Sequence, residues 1–269
     1  MNEFLTGAAL ATMILEKTDF LPNVVNPASK EIGNAIGNIF KTVFTPFALM
    51  NEKAEIYKQG QIQEYIKEIN VKLEQIPEDR LTQPRISIIG SALENSKHCL
   101  NEDDLRKMFI NQIASAVDIE KQSYVRQSFA EIIKQLEPID ADNLKYFSQF
   151  CSEKSNKEII SLPVEFPCVN YIAKNSNTTL IIVPNVFLSE DTDKDYELQS
   201  SSITNLIRLG LITCTYNSLF VDDSKYEIYR KVPVYIALNQ SASDELAFEI
   251  QKGTLTITPL GRDFIKTCV

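Results

Sequence analysis

A chain of 269 residues with 44% hydrophobic content can bury one large core or two smaller ones, which excludes global disorder. Its formal net charge of −9 works at long range against nonspecific binding to nucleic acid. The five cysteines (Cys99, Cys151, Cys168, Cys214, Cys268) are odd in number and too widely spaced for a zinc or redox motif. They read as reduced thiols of a cytoplasmic protein.

Residues 4–15 (FLTGAALATMIL) predict an apolar helix too short to span a bilayer, and the start lacks the basic segment and cleavage site of a secretory signal. Ser29 is a plausible cap for a helix from Lys30 to about Thr45 that presents Ile32, Ile36, Ile39, Phe40, Val43 and Phe44. Gly33 and Gly37, four apart, would let another helix approach closely. Between Ile32 and Met50 the only charge is Lys41, so residues 32–50 can be read as a segment lying in a membrane surface or as part of the core. In the core reading Ile36, Phe40, Val43 and Phe47 are buried.

A long charged helix follows from about Ala48 to Ile76, with Ile62, Ile66, Ile69, Leu73 and Ile76 forming a seam over two heptads. That is short for a coiled coil and suits a helix docked along a bundle. Pro77 to Pro84 is a connector, and residues 85–98 predict a helix with Ile86, Ile89 and Leu93 inward. Three more helices are predicted between Asn101 and Phe150. Asn101 would cap the first, which carries Leu105, Met108, Phe109, Ile113 and Ala116 on one face; Ser128 would cap the second, with Phe129, Ile132, Ile133 and Leu136. Pro138 would end that helix, and Asp140 would cap the third, with Leu144, Phe147 and Phe150.

Beyond residue 152 the helical period gives way to the strand-like runs VEFPCVNYIA and TTLIIVPNVFL, in which Pro167 and Pro184 point to irregular or edge strands. After an acidic loop, a helix from about Asp195 to Leu209 should end in a left-handed cap at Gly210 before a strand. Phe248–Gln251 and Thr254–Ile257 around Lys252-Gly253 suit a hairpin, and Thr258 with Pro259 should start a last helix. The fold expected is therefore α+β, a multi-helix domain over 1–155 followed by a smaller winged-helix-like α/β domain over 156–269.

Two stretches carry a family resemblance. MFINQIASAVD followed by SFAEIIKQLEPIDADNL resembles the core of the abortive infection alpha (Abi-alpha) family of bacterial proteins, and NPASKEIGNAIGNIFKTVFTPF resembles its N-terminal segment. Where family members often have His-Pro before Ser-Phe, this chain has Arg126-Gln127. The resemblance runs over roughly residues 20 to 265. It implies a setting in phage defence and supplies no catalytic residue to carry over.

No polar constellation points to catalysis, a cofactor or a metal. His98, the only histidine, stands next to Cys99, and successive helix positions diverge by about 100°. Asp191, Asp193 and Asp195 imitate a calcium loop but are followed by Tyr196 where glycine is needed. Asp140 and Asp142 could suggest acid–base chemistry, yet both fit the start of a helix. A DNA-reading winged helix would have only Arg208 on its recognition helix and Lys252 on its wing, within a tail (201–269) of zero net charge. The function expected is a non-enzymatic cytoplasmic interaction protein with a protein partner. The alternatives are a nucleic-acid-binding regulator, a membrane-directed effector using residues 32–50, and an enzyme assembled from carboxylates on separate helices.

Overall fold

The computed structural model describes residues 19–49, 55–152, 164–189, 195–243 and 245–269. The chain is mixed α+β and divides into two compact units, Met1–Pro138 with Lys266–Val269, and Ile139–Ile265. The boundary expected near 155/156 lies outside the described residues, as do the helix expected over 4–15 and the join at 50–54.

The first unit is helical: α1 (Pro27–Leu49), α2 (Glu55–Glu74), α3 (Ile86–Ser96), α4 (Asp103–Val117) and α5 (Ser128–Ile133). α4 packs against α2, α3 and α5, and Leu105, Met108, Phe109, Ile113 and Ala116 are all buried as their spacing requires. Arg106 ties α4 to α2 by donating from Nε to Glu68 Oε2 at 2.8 Å and from Nη2 to Glu68 Oε1 at 3.0 Å. Along α2 the buried seam is Ile62, Tyr65, Ile69 and Leu73, while Ile66 and Ile76 are half-buried. In α3, Ile89 and Leu93 are buried, but Ile86 is 70% exposed because Ile88 and Ala92 take the inner face.

α1 is part of this core. Ile32, Ile36, Phe40 and Phe44 are buried, Val43 and Phe47 half-buried. The Phe40 and Phe44 rings stack at 4.3 Å, and Phe20 lies 5.5 Å from Phe40. The neighbour that needs Gly33 is a loop, since a Cβ there would sit 2.1 Å from the Phe20 carbonyl oxygen.

Several helix starts fall at other residues than expected. Asn26 caps α1, accepting from the Ala28 N–H at 3.0 Å, while Ser29 is buried inside the helix. Glu102 and Gln127 stand at the caps of α4 and α5 without side-chain cap bonds, displacing Asn101 and Ser128. Pro138 opens the next helix, where its missing N–H costs nothing, and Asp140 lies in that helix's first turn.

The second unit contains a four-stranded antiparallel sheet of β1 (Glu165–Lys174), β2 (Thr179–Val186), β3 (Ile212–Thr215) and β4 (Ala247–Ile257), in the order β2-β1-β4-β3. With it go α6 (Pro138–Ser152), α7 (Tyr196–Arg208), α8 (Glu227–Arg230), α9 (Pro233–Gln240) and α10 (Pro259–Cys268), whose last residues group with the first unit. Phe147 lies 4.9 Å from Phe166 and 5.1 Å from Phe187, while Phe150 is more exposed. Three buried tyrosines join the sheet to the 223–230 segment. Tyr171 donates to the Tyr229 carbonyl at 2.9 Å, Tyr226 to that of Gly253 at 2.9 Å, and Tyr229 to that of Pro167 at 2.6 Å. The amide of Asn143 on α6 donates to Gln199 Oε1 at 3.0 Å and to Ser202 Oγ at 2.9 Å on α7.

The expected hairpin at Lys252-Gly253 is absent. β4 runs straight through it, pairing with β1 along its length and with β3 over Thr254–Ile257. Gly253 is required by close approach: a Cβ would lie 2.6 Å from the Thr215 carbonyl oxygen and 2.6 Å from the Tyr216 ring. The cap expectations at Gly210 and Thr258 hold. Gly210 has φ +75° and closes α7, with Leu211 N–H bonded to Leu206 O and Gly210 N–H to Ile207 O, the paired bonds of a Schellman cap. Thr258 Oγ1 accepts from the Gly261 N–H at 2.9 Å and donates to the Gly210 carbonyl at 2.6 Å.

Two substitutions test this packing. Phe40→Asp should cost about 4 kcal/mol or more, because it buries an unpaired carboxylate; a thermal melt unchanged from the parent would show that Phe40 is not core. Gly253→Ala should cost roughly 1–3 kcal/mol through overpacking against β3, read as a lower denaturant midpoint.

Candidate functional site

Among the described residues, the polar side chains singled out in the sequence are not brought together. His98 is exposed beside buried Cys99, whose thiol burial pushes upward. Asp140 is buried and accepts from Asn205 Nδ2 at 2.8 Å, whereas Asp142 is exposed and lies 3.8 Å from Lys145. Asp191 and Asp193 lie outside the described residues, and Asp195 caps α7, accepting from the N–H groups of Glu197 and Leu198. Arg208 donates to Asn205 Oδ1 one turn back, at 2.7 Å. Lys252 is paired with Asp223, and its ammonium lies 5.6 Å from the Tyr226 ring centroid. Among the described residues no group of three or more His, Cys, Asp or Glu side chains could hold a metal ion. No described helix is long and apolar enough to cross a membrane.

Two features remain, one in each unit. In the second unit, β2 is an edge strand. Leu180, Ile181 and Ile182 on it are 66%, 50% and 38% exposed. No charged residue occurs between Thr178 and Leu188. The strand is in register with β1 at Thr179, Leu180 and Ile181, then becomes irregular towards Pro184. Near that proline, Asn185 has φ +52° and its N–H donates to Asn170 Oδ1 at 2.8 Å. The sequence signalled the strand, but an unbroken apolar run gives no alternation from which a free face can be read.

In the first unit, a cavity of about 240 Å³ opens beside α2 and α4, lined among others by Lys72, Arg80, Asn111, Ser115, Lys121 and Lys266. Its wall is fixed by side chains that bond the chain's own backbone. Ser115 Oγ donates to the Thr267 carbonyl at 2.9 Å, and Asn111 Nδ2 to the main-chain oxygens of Cys268 and Val269 at 3.2 Å each. Arg80 is held by Asp118, with Nε donating to Oδ1 at 3.1 Å, and by Glu120 at 2.8 Å. Lys266 sits over the Tyr124 ring, 3.4 Å from its centroid. Lys72 and Lys121 differ: among the described residues neither has a carboxylate at ion-pair distance. Burial first, and then the Lys121 charge, push the Lys72 ammonium below the ordinary lysine value. This grouping was not legible in the sequence, because its cations come from four separated segments.

A group whose charged form is penalised in the fold lowers stability while it stays protonated, and the penalty disappears as the pH rises towards 10.5, the ordinary lysine value. Lys72→Gln should therefore raise the melting temperature at neutral pH in low salt. The gain should vanish above the unfolded lysine pKa, as a pH series of melts would record.

No match to this chain is found among curated proteins or among solved structures. The abortive infection alpha family profile matches residues 57–268, from within α2 to the end of α10, leaving α1 and its likeness to the family's N-terminal segment outside the match. With nearly the whole chain covered, the protein belongs to the abortive infection alpha family.

Proposed function

We propose that this chain is a non-enzymatic cytoplasmic interaction protein acting in abortive infection of phage-infected cells, and that it engages a protein partner by strand addition along β2. The observation that carries this reading is the uncharged apolar edge formed by Leu180, Ile181 and Ile182. An edge strand presents unpaired main-chain groups to another chain; charge, proline and bulges are devices that blunt it, and over Leu180–Ile182, before Pro184, β2 carries neither charge nor proline. Main-chain bonds would supply affinity there, and side-chain pockets specificity. The family name supports the setting. A non-catalytic role is supported by the use of Asp140, Asp195 and Lys252 in caps and pairs.

The alternatives have less support. A winged-helix-like nucleic-acid reader keeps the α7–Gly210–β3 junction, but Arg208 and Lys252 are engaged within the protein and the chain makes no hairpin at Lys252-Gly253. A membrane-directed role for residues 32–50 would need Ile36, Phe40 and Phe44 to leave the core.

Ile181→Lys places a charge on the edge at a half-exposed position, so its stability should stay within about 0.5 kcal/mol of the parent. Plaque counts should fall in cells carrying the parent gene and recover with Ile181→Lys. Equal protection by the variant would remove the edge from the mechanism; equal counts with and without the gene, across a broad phage panel, would remove the setting.

A further inference from the structure

We propose that the cavity beside α2 and α4 binds a small phosphate-bearing ligand, with Lys72 and Lys121 as its charge partners. This stands apart from the β2 reading, since it uses other residues in the other unit. An acidic protein has carboxylates to spare for pairing its lysines, as it does for Lys97 and Lys252. Around this cavity Arg80 takes the carboxylates of Asp118 and Glu120, and among the described residues neither Lys72 nor Lys121, which share its lining, has a carboxylate at ion-pair distance. An anion in the cavity would give both lysines the opposite charge that the protein's own carboxylates do not supply. Asn111 and Ser115 hold the wall through the main-chain oxygens of Thr267, Cys268 and Val269, so the cavity is shaped before a ligand arrives.

Size and donor type set the ligand class. A volume of about 240 Å³ is room for a pyrophosphate or the phosphate end of a nucleotide and too little for a folded chain segment. Lysine ammonium groups act as point charges that suit phosphate oxygens, whereas planar carboxylate recognition favours arginine, which here is already engaged.

The test uses the full chain at constant ionic strength, with pyrophosphate and adenosine monophosphate as probes and adenosine as the phosphate-free control. Both phosphates should bind saturably in calorimetry and raise the melting temperature, and adenosine should do neither. Lys72→Gln and Lys121→Gln should each weaken binding about tenfold or more. Lys67→Gln and Lys107→Gln, which alter the neighbouring groove between α2 and α4, should leave binding unchanged. A 5′-phosphorylated oligonucleotide separates the sources: binding as tight as the mononucleotide's would support the site and assign it to a strand end, and weaker binding would support it as a pocket for a free ligand. Absence of saturable binding to either phosphate, or equal binding by parent and both cavity variants, would overturn the proposal.

Discussion

Eleven residues of unbroken extended chain, Ala247–Ile257, hold the second unit together. β4 is the strand on which β1 and β3 both register. Its continuity depends on one missing methyl group, because only glycine at 253 lets the Thr215 carbonyl and the Tyr216 ring come so near. The buried tyrosines build on the same strand. Tyr226 reaches the Gly253 carbonyl, and Tyr229 reaches that of Pro167, opposite Thr254 in the ladder. Each buries an aromatic ring and satisfies a carbonyl, so hydrophobic burial and polar bonding act at the same points.

The sequence was most legible where period and burial coincide. The inner faces of α4 and α5 were correct, and that of α1 at Ile32, Ile36, Phe40 and Phe44, because residues at three- and four-residue spacing must share a side, whereas Ile39, Val43 and Phe47 are only half-buried. Gly210 and Thr258 were also correct, since a left-handed cap and a hydroxyl before Pro259 have few other uses. Cap positions were less legible: Ser29, Asn101, Ser128 and Asp140 are all competent caps, and tertiary packing chose neighbours instead. Lys252-Gly253 misled for a related reason. A glycine needed for a turn and one needed for close approach look alike in one dimension, and only the third strand distinguishes them.

The candidate sites were less legible than the fold. The strand at β2 could be read from TTLIIV, but whether its outer edge is paired is a property of the sheet order. The lysine cavity depends on residues 72, 80, 121 and 266 converging, and on which carboxylates are already engaged. Both sites depart from the character of the whole chain: one is uncharged and the other locally cationic in a protein of net charge −9.

The hydroxyl of Thr258 has a further consequence. It receives a bond from the Gly261 N–H in the first turn of α10 and lies within donating distance of the Gly210 and Leu211 carbonyls just past the end of α7, so the close of one helix and the start of another, distant in sequence, share one atom. Fraying at either end would strand a donor or an acceptor at the other. The close of α7 and the start of α10 are thereby coupled, because loosening either removes a partner from the hydroxyl that serves the other.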